Sequence, residues 1–194
     1  MSVKIGNYRW RIVVLLFFVT TINYVNRQVL GILAPQLQDQ FGWTEADYGY
    51  IIMAFQAAYA IGLISMGTLL DKIGTRLGLI ISVVLMSVSG MIHAAFSTVF
   101  TFAIARFGLG IGASANFPAA IKTVAEWFPK KERAMATGLL NTGSNVGAIV
   151  SPLIVPLIAL NWGWQWAFIT AGLLGFVWLL FWMITYRQPD KNRK

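Results

Sequence analysis

Charged residues in this 194-residue chain are confined to short clusters that separate six long apolar stretches. A helix rises about 1.5 Å per residue, so each stretch is long enough to cross a hydrocarbon layer about 30 Å thick. A soluble domain needs a charged face on each helix, yet charged residues make up 11% of this chain, against about 25% on average. The pattern predicts an all-α membrane protein of six transmembrane helices. The predicted spans cover about residues 10–34, 48–70, 77–96, 100–122, 133–160 and 166–186.

The distribution of positive charge predicts how these helices are oriented. Of the fifteen lysines and arginines, all except Arg27 and Arg106 fall between the spans or at their ends, and all of these lie on one side of the membrane. The positive-inside rule makes that side the cytoplasm, with both termini cytoplasmic and the chain in the inner membrane. The basic residues at helix ends form no continuous stripe, which argues against a nucleic-acid partner. The cytoplasmic set is Lys4, Arg9, Arg11, Lys72, Arg76, Lys122, Lys130, Lys131, Arg133, Arg187, Lys191, Arg193 and Lys194.

The chain contains no cysteine and a single histidine, His93. Disulfides, thiolate sites and histidine-only metal sites are therefore excluded, and we predict no cofactor and no metal. A serine-hydrolase interpretation around Ser114 is disfavoured, because a nucleophilic serine needs a base within hydrogen-bond reach. We predict no catalytic residue, and we expect His93 to lie at the membrane interface near the outer end of its helix.

Arg27 and Arg106 lie inside predicted spans, about two helical turns or ~10 Å from the outer ends. An arginine at the centre of a spanning helix costs about 2.5–3.5 kcal/mol, and no aspartate or glutamate occurs in any predicted span to neutralise it. One interpretation is that both side chains snorkel to the interface. The other is that they face a water-filled cavity and bind an anion, since a guanidinium fork matches a carboxylate.

Polar side chains at helical spacing support the cavity interpretation. Thr20, Asn23, Tyr24 and Arg27 follow the i, i+3, i+4, i+7 pattern and share one face of the first helix. Their groups can bind sugar hydroxyls, or they can form hydrogen bonds between helices. The further candidates are Gln56 and Tyr59 on the second helix and Ser144 and Asn145 on the fifth. Two glycine pairs, Gly108/Gly112 and Gly143/Gly147, predict close helix packing.

The segment between the second and third stretches contains Gly67, Asp71, Gly74 and Arg76. It resembles the glycine-x-x-x-aspartate-x-x-glycine-x-arginine signature of the major facilitator superfamily. Segments 23–27, 105–110, 126–133 and 163–168 resemble the anion–cation symporter branch, and most of all its hexuronate carriers. The resemblance covers nearly the whole chain.

The resemblance implies that residues 1–194 form the amino-terminal half of a transporter. It implies two inverted three-helix repeats, about 10–96 and 100–187, with 188–194 starting a cytoplasmic linker and a carboxy-terminal half as the missing partner. Arg27 and Arg106 would hold the substrate carboxylate, Tyr24 and Tyr59 would line the site, and Ser144 and Asn145 would lie near substrate hydroxyls. The segment from Gly67 to Arg76 would act as a gate latch.

The expected function is transport of a small organic anion, a hexuronate or related sugar acid, by alternating access. Another carboxylate (an aldonate, an aldarate or an aromatic acid) and a non-transporting truncated subunit are the alternatives. Proton-coupled relatives carry acids where this chain has Asn26 and Ala113. Neither residue titrates, so neither relays a proton. We expect no transport by the chain alone unless it pairs with a second copy.

Overall fold

The computed structural model describes residues 5–187, with side chains from residue 8 onward, and its long elements are α-helices. Lys4, Lys191, Arg193, Lys194 and the predicted linker 188–194 lie outside the described residues. Five apolar helices are long enough to cross a membrane, and α3 and α4 together form one of them. The all-α prediction is confirmed. The helices are α1 (Ile5–Phe41), α2 (Glu45–Ile92), α3 (Val99–Ser114), α4 (Asn116–Trp127), α5 (Arg133–Trp162) and α6 (Trp164–Thr185).

The helix α2 is broken at Gly74, where the backbone adopts φ 80° and ψ 164°. Only glycine adopts this conformation without strain, because it has no Cβ atom. Ala58 and Met86 flank the break, and in a straight helix they would lie about 42 Å apart. In the structure Ala58 packs against α3 at Gly110, and Met86 packs against it at Gly112, only two residues further along. The two limbs of α2 on either side of Gly74 therefore fold back on each other and enclose α3.

Glycines on α3 allow this close approach. A methyl group added at Gly112 would lie 2.6 Å from the backbone nitrogen of Met86, and one at Gly110 would lie 2.6 Å from the carbonyl oxygen of Phe55. The second glycine pair acts in the same way on α5, where a methyl group at Gly147 would lie 2.7 Å from the carbonyl oxygen of Thr21. The close packing predicted from glycine spacing is confirmed.

Helix α6 lies antiparallel to α1 and closes the bundle. The hydroxyl of Tyr8 donates to the carbonyl of Thr185, and the indole Nε1 of Trp178 donates to the carbonyl of Leu15 at 2.8 Å. Tyr8 and Leu15 lie seven residues apart on α1, and their partners lie seven residues apart on α6 in the opposite direction. Both bonds therefore fit one antiparallel register. These bonds satisfy the tyrosine hydroxyl and the indole nitrogen within the bundle.

His93 lies at the end of α2 as predicted, but its side chain is fully buried in the bundle rather than exposed at an interface. Its ring stacks on Phe168 with 5.0 Å between centroids and meets Phe102 edge-on. Its Nδ1 lies 2.7 Å from the carbonyl oxygen of Ser89. The aromatic rings at this end of the bundle pack on one another, and they enclose the imidazole between α3 and α6.

The outward surface of the bundle is apolar. Ile64 and Leu160 each expose 84% of their surface, and Ile184 exposes 79%. A water-soluble protein rarely exposes apolar patches of this extent. Together with the five long apolar helices, this surface is that of a multi-pass membrane protein.

Replacing Gly112 by alanine tests the close packing of α3. We expect Gly112→Ala to lower the free energy of unfolding in detergent by about 1–3 kcal/mol, because the new methyl group meets the backbone of Met86 rather than a movable side chain. Gly138→Ala is the matched control, since nothing lies within 4 Å of its new methyl group. Equal stability of the two variants would contradict this account of the packing.

Candidate functional site

A small pocket of about 60 Å³ lies between α1, the first limb of α2 and the junction of α3 with α4. The half-buried guanidinium of Arg27 lies at its wall. All four residues of the polar stripe predicted on the first helix line this pocket. The lining residues are Thr20, Asn23, Tyr24, Arg27, Tyr59, Ala113, Asn116 and Phe117.

Three aromatic rings surround the guanidinium of Arg27. Its central carbon lies 4.6 Å from the ring centre of Tyr59, 5.1 Å from that of Phe55 and 5.4 Å from that of Tyr24. Each cation–π contact contributes about 0.5–2 kcal/mol, depending on desolvation. The rings hold the charge in place and leave its N–H groups available to a ligand that accepts hydrogen bonds.

Arg106 lies next to Arg27 but deeper in the protein. It exposes 2% of its surface, and its Nη1 donates to the carbonyl oxygen of Arg27 at 3.2 Å. Its Nε and Nη2 are buried and have no partner among the described residues. This geometry rules out snorkelling for Arg106, which has two unused donors beside Arg27.

The two arginine charges lack a described counter-charge. The ion pairs within residues 5–187 are Arg9–Glu132 and Lys122–Asp71, and neither involves Arg27 or Arg106. Both guanidinium carbons approach the ring of Phe55, at 5.1 and 6.0 Å, so they lie within about 11 Å of each other. At an effective dielectric constant of about 20, their repulsion is about 1.5 kcal/mol or more. A bound anion would remove that repulsion and supply acceptors for the unused donors.

The other predicted residues do not all reach this pocket. Gln56 and Asn145 are exposed, and neither is among the lining residues. Ser144 is half-buried, and its hydroxyl donates to the carbonyl of Asn141 in its own helix at 2.6 Å. Asn23 lines the pocket, while its Nδ2 donates to the carbonyl of Ala113 at 3.3 Å.

Phe55, Asn116 and Phe117 lie near Arg27 or line its pocket, and they were not predicted from the sequence. Phe55 packs against both guanidinium groups, and its place four residues before Tyr59 on the same helix face was the available signal. Asn116 lines the pocket one turn beyond Ala113. It is an isolated asparagine at a helix junction, and its sequence position carried no comparable signal.

Larger grooves elsewhere on the bundle are apolar. One of about 340 Å³ lies between α1 and α6, and one of about 290 Å³ lies between α1, α5 and α6. Side chains such as Phe18, Leu174 and Val177 line them. They are larger than the pocket at Arg27, but they offer no charged group to an anion.

The segment predicted to act as a latch lies at the break in α2. Asp71 forms an ion pair with Lys122 of α4 at 2.6 Å, and the ammonium also donates to the carbonyl of Leu70 at 2.9 Å. Arg76 donates to the carbonyl of Met183 at 3.3 Å, and Gly67 is exposed. The ion pair is largely exposed, so it contributes about 1 kcal/mol or less to the free energy of unfolding. Its main effect is to orient the turn.

A polar cluster that contains two buried hydroxyl groups and one exposed carboxylate lies beside this turn. The hydroxyl of Thr75 donates to the carboxylate of Glu126 at 2.9 Å and lies 2.9 Å from the hydroxyl of Tyr186. The cluster links the second limb of α2 to α4 and to the end of α6. It fixes these three segments relative to one another.

No catalytic or metal-binding constellation is present in the part of the chain that the structure describes. Residues 5–187 contain no group of three histidine, aspartate or glutamate side chains placed to hold a metal ion. Ser114 donates to the carbonyl of Ile111 and packs against Gly62. His93 packs at the level of Phe102, about 18 Å away along the α3 axis. The two cannot act as a nucleophile and its base.

Comparison with known proteins adds to this geometry. The sequence profile of the Major Facilitator Superfamily matches residues 16–194. The chain is 36% identical over 190 residues to the hexuronate transporter of Escherichia coli (strain K12), covering 98% of this chain and 44% of that protein. It is 34% identical over 191 residues to the galacturonate transporter of Dickeya chrysanthemi, covering 98% of this chain and 55% of that protein.

Solved structures show the same fold. A bacterial homolog of the human lysosomal transporter Spinster, in an inward-facing and unoccupied conformation, superimposes with a TM-score of 0.86 at 20% identity. The match covers 97% of this chain and 45% of that structure. The chain thus spans about half the length of the curated relatives it matches.

Replacing Thr75 by valine tests the polar cluster. We expect Thr75→Val to lower the free energy of unfolding by about 0.5–1.5 kcal/mol, because the buried hydroxyl of Thr75 and its hydrogen bond to the carboxylate of Glu126 are lost. Thr68→Val, at an exposed position on the same helix, should have little effect. Unfolding in detergent measures both, and an unchanged Thr75→Val variant would show that the cluster does not fix the helix ends.

Proposed function

The chain belongs to the major facilitator superfamily, and we propose that it forms the amino-terminal, substrate-binding bundle of a carrier for a hexuronate or related sugar acid. The observation that carries the proposal is the half-exposed guanidinium of Arg27, held by aromatic rings beside the buried Arg106, with no described acid to neutralise either charge. The relatives named as hexuronate and galacturonate transporters support the substrate class.

In the proposed mechanism the arginines have different tasks. Arg27 lies at the pocket wall and binds the carboxylate through its guanidinium fork. Arg106 lies behind it, where its positive charge and its two free donors stabilise the bound anion. Tyr24 and Tyr59 fix the position of Arg27 and offer their rings to the apolar face of a sugar.

Alternating access requires a second wall around the substrate. We propose that the hairpin in α2 crosses the membrane twice, which gives six crossings in two inverted repeats, about 10–96 and 100–187. A second six-helix bundle, supplied by a further segment or by another chain, would close the pocket from the other side. Gln56, Ser144 and Asn145 lie outside the present pocket, and we propose that they face this second bundle. Rocking of the bundles would then move the substrate, with the turn from Gly67 to Arg76 as a latch.

The arginines alone do not distinguish between carboxylates. Other relatives are named as a probable L-galactonate transporter and a probable galactarate/D-glucarate transporter, so aldonates and aldarates are the nearest alternatives. A competition assay with uronates, aldonates and aromatic acids would rank them. A subunit that does not transport is the other alternative, and substrate binding distinguishes it from a carrier.

Proton coupling, if present, does not involve positions 26 and 113 of this bundle. Asn26 is buried, and its amide donates to the carbonyls of Ile22 and Ala171, both at 3.0 Å. Ala113 is buried in the pocket wall. We propose that any coupling group lies elsewhere in the assembled carrier.

Single cysteines test the proposed orientation, because the chain has no cysteine of its own. Asp39→Cys should react with a membrane-impermeant maleimide added to intact cells, since the outer loops are expected outside. Lys131→Cys should react only after the membrane is made permeable. Both side chains are exposed in the structure, so access is limited only by the membrane. Labelling of Lys131→Cys in intact cells would reverse the orientation.

Charge-conserving substitutions test the capture of the carboxylate. Arg27→Lys and Arg106→Lys keep the positive charge but lose the planar fork. We expect each to reduce binding of labelled glucuronate to the purified chain in nanodiscs at least about tenfold, which corresponds to one charged hydrogen bond. Uptake into proteoliposomes that also contain a second bundle should fall in parallel.

Arg11→Lys is the matched control for these variants. Arg11 is exposed near the cytoplasmic end of α1, and its substitution should leave binding unchanged. If all three lysine variants bind glucuronate like the wild type, the guanidinium groups do not hold the carboxylate. If the wild type binds no sugar acid, the chain is not a carrier subunit of this kind.

A further inference from the structure

Asn116 has an unused acceptor beside the pocket at Arg27. Its side chain exposes 4% of its surface, its Nδ2 donates to the carbonyl of Val19 at 3.2 Å, and its Oδ1 is buried without a partner among the described residues. A buried polar atom left without a hydrogen bond costs about 1–3 kcal/mol. A ligand that donates a hydrogen bond to Oδ1 would recover this free energy.

Asn116 is unusual among the residues that line the pocket. Of the described side chains with a buried, unpartnered polar atom, it alone lines this pocket. The hydroxyl of Thr20 donates to the carbonyl of Leu16 at 2.9 Å, and the amide of Asn23 donates to Ala113. The helix backbone thus already occupies these donors, whereas the acceptor of Asn116 is unused.

The two ends of the pocket therefore differ in hydrogen-bond character. Arg27 can only donate, so it binds an acceptor such as a carboxylate. With Nδ2 held by Val19, Asn116 presents an acceptor, which takes a hydrogen bond from a hydroxyl group. A ligand that satisfies both ends carries a carboxylate and, at some distance from it, a hydroxyl.

The helix α1 gives that distance. Asn116 is bound at the level of Val19, and the guanidinium of Arg27 lies over the ring of Tyr24. Five residues separate Val19 from Tyr24, which is a rise of about 7.5 Å. The two ends of the pocket are therefore set apart along α1, so one group of a ligand meets Arg27 and a different group meets Asn116.

We propose that Asn116 is a specificity-determining residue, whose Oδ1 accepts a hydrogen bond from a substrate hydroxyl while Arg27 holds the carboxylate. This inference rests on the proposed function and extends it, because the subsite selects a hydroxylated acid over a plain carboxylate of equal length. The present pocket of about 60 Å³ is far smaller than the roughly 300 Å³ or more of ordinary small-molecule sites. Binding therefore includes a widening of the pocket that uncovers Oδ1.

The test is a thermodynamic cycle that combines substitution of Asn116 with removal of single hydroxyl groups from the ligand. The purified chain in nanodiscs is titrated with D-glucuronate and with its 2-, 3- and 4-deoxy analogues, as wild type and as Asn116→Ala. We expect the variant to lose at least fivefold in affinity for glucuronate but less than twofold for the one analogue that lacks the partner hydroxyl. The ratio of wild-type to variant affinity is then larger for glucuronate than for that analogue, and this difference measures the coupling between Asn116 and the hydroxyl.

Asn26→Ala is the matched control, since Asn26 is an equally buried asparagine that is not among the residues lining the pocket. It should change the affinities for all four ligands by the same factor. If Asn116→Ala also weakens all four equally, its role is structural and the inference is overturned.

The same measurements separate this inference from the proposed function. Glucuronate binding that is lost in Arg27→Lys but shows no hydroxyl-specific response to Asn116→Ala would overturn the subsite alone. Binding that is insensitive to Arg27→Lys, or absent from the wild type, would overturn the carrier function and the subsite with it.

Discussion

The bundle depends on the close approach of α3 to both limbs of α2. Lipid provides no hydrophobic driving force between helices, so their association relies on van der Waals contact between closely packed backbones. Gly110 and Gly112 provide that contact, because even one methyl group at either position would overlap the neighbouring backbone. The same approach brings Arg106 of α3 to the carbonyl of Arg27 on α1, with Phe55 of α2 against both side chains.

This packing makes two like charges part of one structure. In a protein interior such charges repel, and the described residues supply no acid that would neutralise them. Aromatic rings and one backbone carbonyl hold the guanidinium groups in place without neutralising them. A region preorganised in this way has few favourable occupants other than an anion, which connects the packing of α3 to the proposed transport of sugar acids.

Much of the site followed from side-chain periodicity. The stripe of Thr20, Asn23, Tyr24 and Arg27 was predicted because four polar side chains on one helix face are unfavourable in lipid. The stripe indeed lines a pocket with Tyr59. Periodicity could not show that Arg106 lies behind Arg27, because helix rotation and side-chain packing decide burial. For the same reason Gln56 lies three residues before the pocket residue Tyr59 on one helix and yet remains exposed.

The sequence by itself determined the helical membrane class, the long apolar stretches and the asymmetry of charge. These are local properties, since the transfer of about twenty apolar residues into lipid and the internal hydrogen bonding of a helix do not depend on neighbouring helices. Only the tertiary structure decided that His93 is buried, that Phe55 contacts both arginines and that Asn116 lines the pocket with an unpartnered oxygen. Those outcomes depend on how helices distant in sequence pack together, and no local pattern specifies that packing.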